Sequence, residues 1–262
     1  MSMPTKLYKY RSLADDMQWQ YARNIIVDNE FYFCRPTEFN DPFECRPMFR
    51  VEGTVDEIAL YFYKLLSRNR PELDEQSRRS MAATKASQMA ADPPGQLQAF
   101  IERFHETQIN NYGVLSLSAD PENILMWAHY ANNHRGICLE FSTDKALDNL
   151  CYAEPVTYQD EFPTINVLTA GDDPPQMMRT MLITKSKLWK YEQEWRLVDL
   201  DGHGPKQFNP GTLTGIIVGA KCSEESLGRL VTMANGRSPK PAFYSAALSN
   251  NAFKVVISKN PD

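Results

Sequence analysis

The chain is short of the residues on which most recognisable chemistry is built. It has four histidines and five cysteines in 262 residues, and the cysteines are odd in number. Cys34, Cys45, Cys138, Cys151 and Cys222 are scattered with no CxxC spacing, which excludes a disulfide framework or a four-thiolate zinc site. They fit reduced thiols of a cytoplasmic protein. No apolar run approaches the roughly 20 residues that span a bilayer, and the first ten residues lack a signal-peptide core, so no membrane association is expected. Glycine is sparse at 12 residues, and no phosphate-cradling loop, dinucleotide fingerprint or Gly-x-Ser-x-Gly elbow occurs. The formal charge of −5 is too mild to mark a nucleic-acid wrapper. Internal repeats and low-complexity tracts are absent.

What is present predicts one α+β domain over 1–262, with a mixed, mostly antiparallel sheet and an inserted helical lobe. Lys6 to Arg11 alternates apolar and basic residues as a strand does. Ser12 is placed to cap a helix reaching about Asn29, with Asp15 in its first turn. Phe31–Cys34 predicts a short aromatic strand. Phe39–Phe43 predicts a turn in which Asn40 and Asp41 favour local side-chain bonds to the backbone. Over 54–110 the character changes. Thr54 and Glu57 form a capping-box pattern, and Ile58, Tyr61, Phe62 and Leu65 recur at helical spacing. After a break at Asp92–Gly95, Leu97, Phe100, Ile101 and Phe104 repeat it. Strands are expected at Gly113–Ser118, Ile137–Phe141, Ala153–Tyr158, Gly215–Gly219, Phe243–Leu248 and Phe253–Ile257. Helices are expected to open at Asp120-Pro121, to run from Pro174 to about Trp189, and to run from Ser223 to about Asn235.

The most informative segment is Trp189–Val198. In an extended conformation it puts Glu192, Glu194 and Arg196 on one face and Tyr191, Trp195 and Leu197 on the other. Such a strand presents carboxylates to a substrate, and it equally describes a solvated face with an ion pair. His129, His134 and Cys138 lack a fourth ligand, so no metal is expected there. The Asp199–Gly204 turn carries oxygen and nitrogen donors, and a glycine-flanked turn accounts for it more simply.

Five segments together resemble a bacterial family of unknown function, domain-of-unknown-function family 2971. They are Leu7–Arg11, Phe39–Glu44, Leu115–Ser118, Met126–Tyr130 with His134–Gly136, and Trp189–Arg196. The order of elements also resembles the arginine-type ADP-ribosyltransferase fold, through Arg11, Ser116-Leu117-Ser118 and Glu192-Gln193-Glu194 in that order. That resemblance implies NAD as substrate, no metal, and a toxin- or defence-type role with a protein or nucleic-acid acceptor and an antitoxin partner. It implies Glu194 on a ribose hydroxyl, where a carboxylate stabilises an oxocarbenium-like charge, and Glu192 on the acceptor. Arg11 then takes the pyrophosphate. Ser116 and Ser118 place the ribose or the amide, Tyr130 or Trp127 stacks on the nicotinamide ring, and His134 lines the cleft. Each residue also has an ordinary role: Arg11 pairing with Asp15 or Asp16, the serines on a wet strand face, Trp127 and Tyr130 in the core. Two other functions fit the same string: a non-catalytic module that binds a partner through the helical lobe, and a metal-dependent nuclease using Asp199, Asp201 and Glu194.

Overall fold

The computed structural model describes residues 2–92, 94–96, 98, 109–170 and 174–260. The first strand, β1 (Lys6–Arg11), places Leu7 in the core. Helix α1 (Asp16–Ile26) follows, and it starts later than Ser12 because Ser12 accepts from the Ala14 amide in a local turn. Asp15 is the cap instead, accepting from the Gln18 amide at 2.9 Å. Asn29, in the left-handed region at φ 55°, turns the chain into β2 (Glu30–Phe33). After β3 (Met48–Arg50), helices α2 (Val55–Asn69) and α3 (Glu75–Ala91) pack together around Ile58, Ala86 and Met89. The Thr54–Glu57 capping box is present at the start of α2. The expected helical spacing at Leu97, Phe100, Ile101 and Phe104 lies outside the described residues.

The chain continues through β4 (Gly113–Ser118), α4 (Ile124–His129) and β5 (Ile137–Ser142). Asn123, rather than Asp120, caps α4, accepting from the Leu125 and Met126 amides. The expected Ala153–Tyr158 strand is split into β6 (Glu154–Pro155) and β7 (Thr157–Gln159), followed by β8 (Thr164–Asn166) and a short helix α5 (Val167–Ala170). Helix α6 (Pro174–Leu182) stops well before Trp189. The β-branched pair Ile183-Thr184 leads instead into β9 (Thr184–Ser186), which pairs in parallel with β7. Then come β10 (Glu194–Asp199), β11 (Gly204–Gln207), β12 (Leu213–Val218), α7 (Glu224–Asn235), β13 (Ala242–Leu248) and β14 (Val255–Lys259).

Eight strands form one sheet in the order β14-β13-β12-β5-β1-β4-β10-β6. Only the β12–β13 pair in it is parallel, so the fold is α+β with a mostly antiparallel mixed sheet. Alternation along the strands sorts two faces. One carries Leu7, Leu115, Leu117, Leu139, Phe141 and Trp195 against α1 and α7, where Trp19, Ile25, Ile26 and Leu230 close the main core. The other carries Tyr8, Tyr10, Cys138 and Ile217 under α4, with Trp127 at its centre. Among the described residues no helix is long and apolar enough to cross a membrane.

The sheet is not evenly zipped. β1 pairs with β5 along all six residues but with β4 only at Tyr8 opposite Ser118. Beyond that pair the two strands part, and the ladder bonds a sheet would make there are replaced by other partners.

Candidate functional site

The opening between β1 and β4 leads into a cavity of about 170 Å³. Its floor is Ser116, Ser118 and Glu194, its roof Met126 of α4 and Tyr130 at the end of that helix, and one wall the Phe39–Glu44 loop. Lys9 and Arg11 reach it from β1, so residues from both faces of the sheet meet at the opening.

The strand expected to carry Glu192, Glu194 and Arg196 on one face begins only at Glu194. Lys187–Glu192 form a 3₁₀ turn, and Gln193 ends it in the left-handed region at φ 46° and ψ 48°. Glu194 and Arg196 share the α4 face, opposite Trp195 in the main core, while the left-handed step folds Glu192 back over the cavity. Two side chains fix that turn. Ser118 Oγ donates to the Glu192 carbonyl at 2.6 Å, and Asn123 Nδ2 donates to the Tyr191 carbonyl at 2.7 Å.

Five charged groups interlock around these acids. Arg196, 1% exposed, donates Nε to Glu194 Oε1 at 2.7 Å and Nη2 to Glu194 Oε2 at 3.0 Å, and it also donates to Glu44 and to the Leu182 carbonyl. Its guanidinium lies 4.9 Å from the Phe39 ring centre. Lys185 donates Nζ to Glu192 at 2.6 Å and to Glu194 at 3.1 Å, and stands 3.1 Å from Glu44. Burial works against ionising Glu194, but the charges of Arg196 and Lys185 overcome it and hold the carboxyl at about 2. Burial likewise opposes the charge on Lys185, and the three carboxylates outweigh it and raise its pKa. Glu192 goes the other way: burial raises its pKa, Lys185 only partly offsets that, and Glu194 adds to it. Tyr130 donates its hydroxyl to Glu192 Oε1 at 2.6 Å and receives a bond from Asn40 Nδ2 at 3.3 Å.

On the β1 side the charge is uncompensated. Lys9 Nζ donates to the Ser116 carbonyl at 2.8 Å, one of the groups the parted ladder leaves over. Neither Lys9 nor Arg11 forms an ion pair among the described residues, and Arg11 Nε is buried without a hydrogen-bond partner. Arg11 lies over the Tyr21 ring rather than against Asp15 or Asp16. Burial lowers the Lys9 pKa and the neighbouring Arg11 charge lowers it further, to about 7. Because the unfolded chain holds that proton up to about 10.4, this group destabilises the fold fully below pH 7 and ceases to do so as pH rises towards 10. Lys9→Met is therefore expected to stabilise the protein at neutral pH and to flatten the rise in stability between those limits. Urea midpoints across that range check it, and a parallel rise in the variant would refute it.

Of the residues singled out in the sequence, Arg11, Ser116, Ser118, Tyr130, Glu192 and Glu194 line this cavity. Trp127 and His134 do not. Trp127 is fully buried, edge-on to Tyr10 at 5.2 Å, with Nε1 donating to the Pro121 carbonyl: it is core. His134 stacks on the far side of α4 against Trp127 rather than lining the cleft. It belongs to a turn with three left-handed residues, Asn132, Asn133 and His134, which lets Gly136 approach the Arg11 carbonyl so closely that a Cβ would sit 2.1 Å from it. The motif around His134 thus secures the end of β1.

Glu44, Lys185, Lys9 and Asn40 are the site residues that sequence reasoning missed. Glu44 stood in a quoted motif without a role, Asn40 was expected to bond its own turn as Asp41 does but reaches the Tyr130 hydroxyl instead, and Lys185 was hidden by the helix expected through it. Among the described residues no three His, Cys, Asp or Glu side chains are placed to share a metal. Asp199 pairs with Lys206 at 2.9 Å, and His203 accepts from Arg35 Nε. Asp199 and Glu194 stand at opposite ends of β10, roughly 17 Å apart at strand rise, so they do not form a nuclease centre together.

Comparison with curated proteins and with solved structures returned no match. Residues 126–197, from α4 to the middle of β10, match the model of a protein family of unknown function, DUF2971, and in that stretch the chain is similar to it. The match takes in Tyr130, Lys185, Glu192, Glu194 and Arg196, while Leu7–Arg11, Phe39–Glu44 and Leu115–Ser118 lie outside it.

Proposed function

We propose that the protein cleaves the bond between nicotinamide and ribose in NAD and passes the ADP-ribosyl group to water or to a macromolecular acceptor. The observation that supports this most is the meeting of two uncompensated cations, strand hydroxyls and a carboxylate with unused acceptor capacity at the parting of β1 and β4. A ligand with phosphates at one end and a sugar gaining positive charge at the other complements that polarity.

Hydrogen-bond capacity favours one of the two acids for the chemical role. A carboxylate accepts about four bonds. Glu194 receives two from Arg196 and one from Lys185, each a buried cation. Both its oxygens are held by buried cations, which leaves it little room for a ribose hydroxyl, so the role implied for it by resemblance is better suited to Glu192. Glu192 receives one bond from Tyr130 and one from Lys185 and keeps room for a sugar. Glu194 then acts as the anchor that keeps Lys185 and Arg196 in place. A cavity of about 170 Å³ takes a nicotinamide-sized ring rather than a whole dinucleotide, and Tyr8, Tyr10 and Tyr130 are among the residues that line it. The remainder of the molecule extends past Lys9 and Arg11. An enzyme of this kind depletes NAD or marks a protein or nucleic acid, which is toxin-type chemistry calling for a neutralising partner.

Purified protein incubated with NAD labelled in the adenosine moiety, alone and with cell extract, tests the proposal. The expected result is release of free nicotinamide, with label either in ADP-ribose or on a macromolecule. Intact NAD under both conditions overturns it. The commitment of Glu194 to Arg196 and Lys185 favours one other reading, a pocket that binds NAD without cleaving it, and this predicts saturable binding with no product.

A further inference from the structure

We propose that Lys9 and Arg11 form a diphosphate-recognition pair in the opening between β1 and β4, with Lys9 as the residue that couples binding to proton uptake. The inference rests on the reading above for the diphosphate and goes beyond it in assigning Lys9 and the coupling.

Three observations carry it. Both cations come from one short strand and line one cavity, and among the described residues neither has a carboxylate partner. The opening itself is made by strand parting, which places the Lys9 ammonium against a bare carbonyl, that of Ser116, rather than against an acid. Arg11 keeps a buried Nε without a partner, although guanidinium donors in folded proteins are normally satisfied. Every other cation at this site, Lys185 and Arg196, is already committed to carboxylates. A diphosphate supplies what the pair lacks: acceptor oxygens for the free guanidinium nitrogen and negative charge between two like charges.

The coupling follows from what faces Lys9. From its own strand comes the Arg11 charge, from the end of β2 the half-buried Cys34 thiol, and from β10 the Glu194 carboxylate. Glu194 is neutralised by its own cations, so Arg11 and burial dominate and the ammonium sheds its proton readily in the empty site. A bound diphosphate reverses the local sign and restores the charge, so the site takes up a proton from solvent as the ligand enters.

Isothermal titration calorimetry with ADP-ribose at about pH 8, in two buffers of different ionisation enthalpy, measures both affinity and proton uptake. The diphosphate of ADP-ribose does not itself titrate in this range. Uptake approaching one proton per site is expected, and binding is expected to be competed by inorganic pyrophosphate. Lys9→Met and Arg11→Gln should each weaken binding about tenfold to a hundredfold. Lys9→Arg should retain most of the affinity but take up no proton, since guanidinium is always charged. Thermal unfolding verifies that each variant is folded. Unchanged affinity in Lys9→Met, uptake that persists in Lys9→Arg, or failure of pyrophosphate to compete would each overturn the inference. Lys9-dependent binding of ADP-ribose without NAD cleavage would retire the enzymatic reading and leave this site standing. Cleavage of NAD with affinity for ADP-ribose insensitive to Lys9 and Arg11 would do the reverse.

Discussion

Replacing Arg196 with methionine is expected to destabilise the protein by about 3–5 kcal/mol, the cost of leaving buried carboxylates without their cation. Arg196 is 1% exposed and bonds Glu194 through both Nε and Nη2 while also holding Glu44. Methionine fills much of the same volume, so lost packing contributes little and the effect isolates the charge. For a chain of this size that loss corresponds to a fall in Tm of about 10 °C. Denaturant unfolding gives the free energy directly. Introducing Glu194→Gln and Glu44→Gln into the Arg196→Met background should recover part of it, because the stranded charges are then gone. A triple variant no more stable than the single one, or a single variant within about 1 kcal/mol of wild type, would show that the network does not behave as a buried ion cluster. In the triple variant Lys185 loses two of its three carboxylate neighbours and keeps only Glu192, which makes partial rather than full recovery the expected outcome.

Glu192→Gln separates chemistry from architecture. If Glu192 stabilises the developing sugar cation, its amide should lower the rate of nicotinamide release by about a hundredfold to a thousandfold. Stability should change little. Burial and the neighbouring Glu194 both oppose the charge on Glu192, and Lys185 only partly offsets them. Glu194→Gln should give the opposite signature, a large loss of stability, because it unpairs the cations that hold the cavity together. Initial rates and unfolding midpoints measured on both variants distinguish the two roles. A well-folded Glu194→Gln variant without activity, beside a Glu192→Gln variant within tenfold of wild type, would return the ribose contact to Glu194.

Much of the scaffold was legible along the chain because it depends on near neighbours. The alternation in Lys6–Arg11 and Gly113–Ser118, the capping box at Thr54 and the cap at Ser223 all describe interactions within a few residues, and each element forms where they point. The failures share a cause. The helix expected to reach Trp189 yields at Leu182, where Ile183-Thr184 turns the chain into β9, and the ion pair of Lys185 with Glu44, 141 residues away, is one that spacing along the chain does not reveal. Trp127 lies inside α4 and Tyr130, three residues on, caps its end; one fills the core and the other roofs the cavity, since the boundary between core and cavity passes between them.

The sequence by itself determined the α+β class and supplied the acids, hydroxyls and cations, because periodicity and residue chemistry are local properties. Tertiary structure alone decided how those groups are used. The left-handed step at Gln193 turns Glu192 over the cavity. The parting of β1 from β4 opens it. Glu44 and Lys185, far apart in the chain, determine which acid is spent on ion pairs and which keeps free lone pairs. Partner count is fixed by long-range proximity, and spacing along the chain does not encode it.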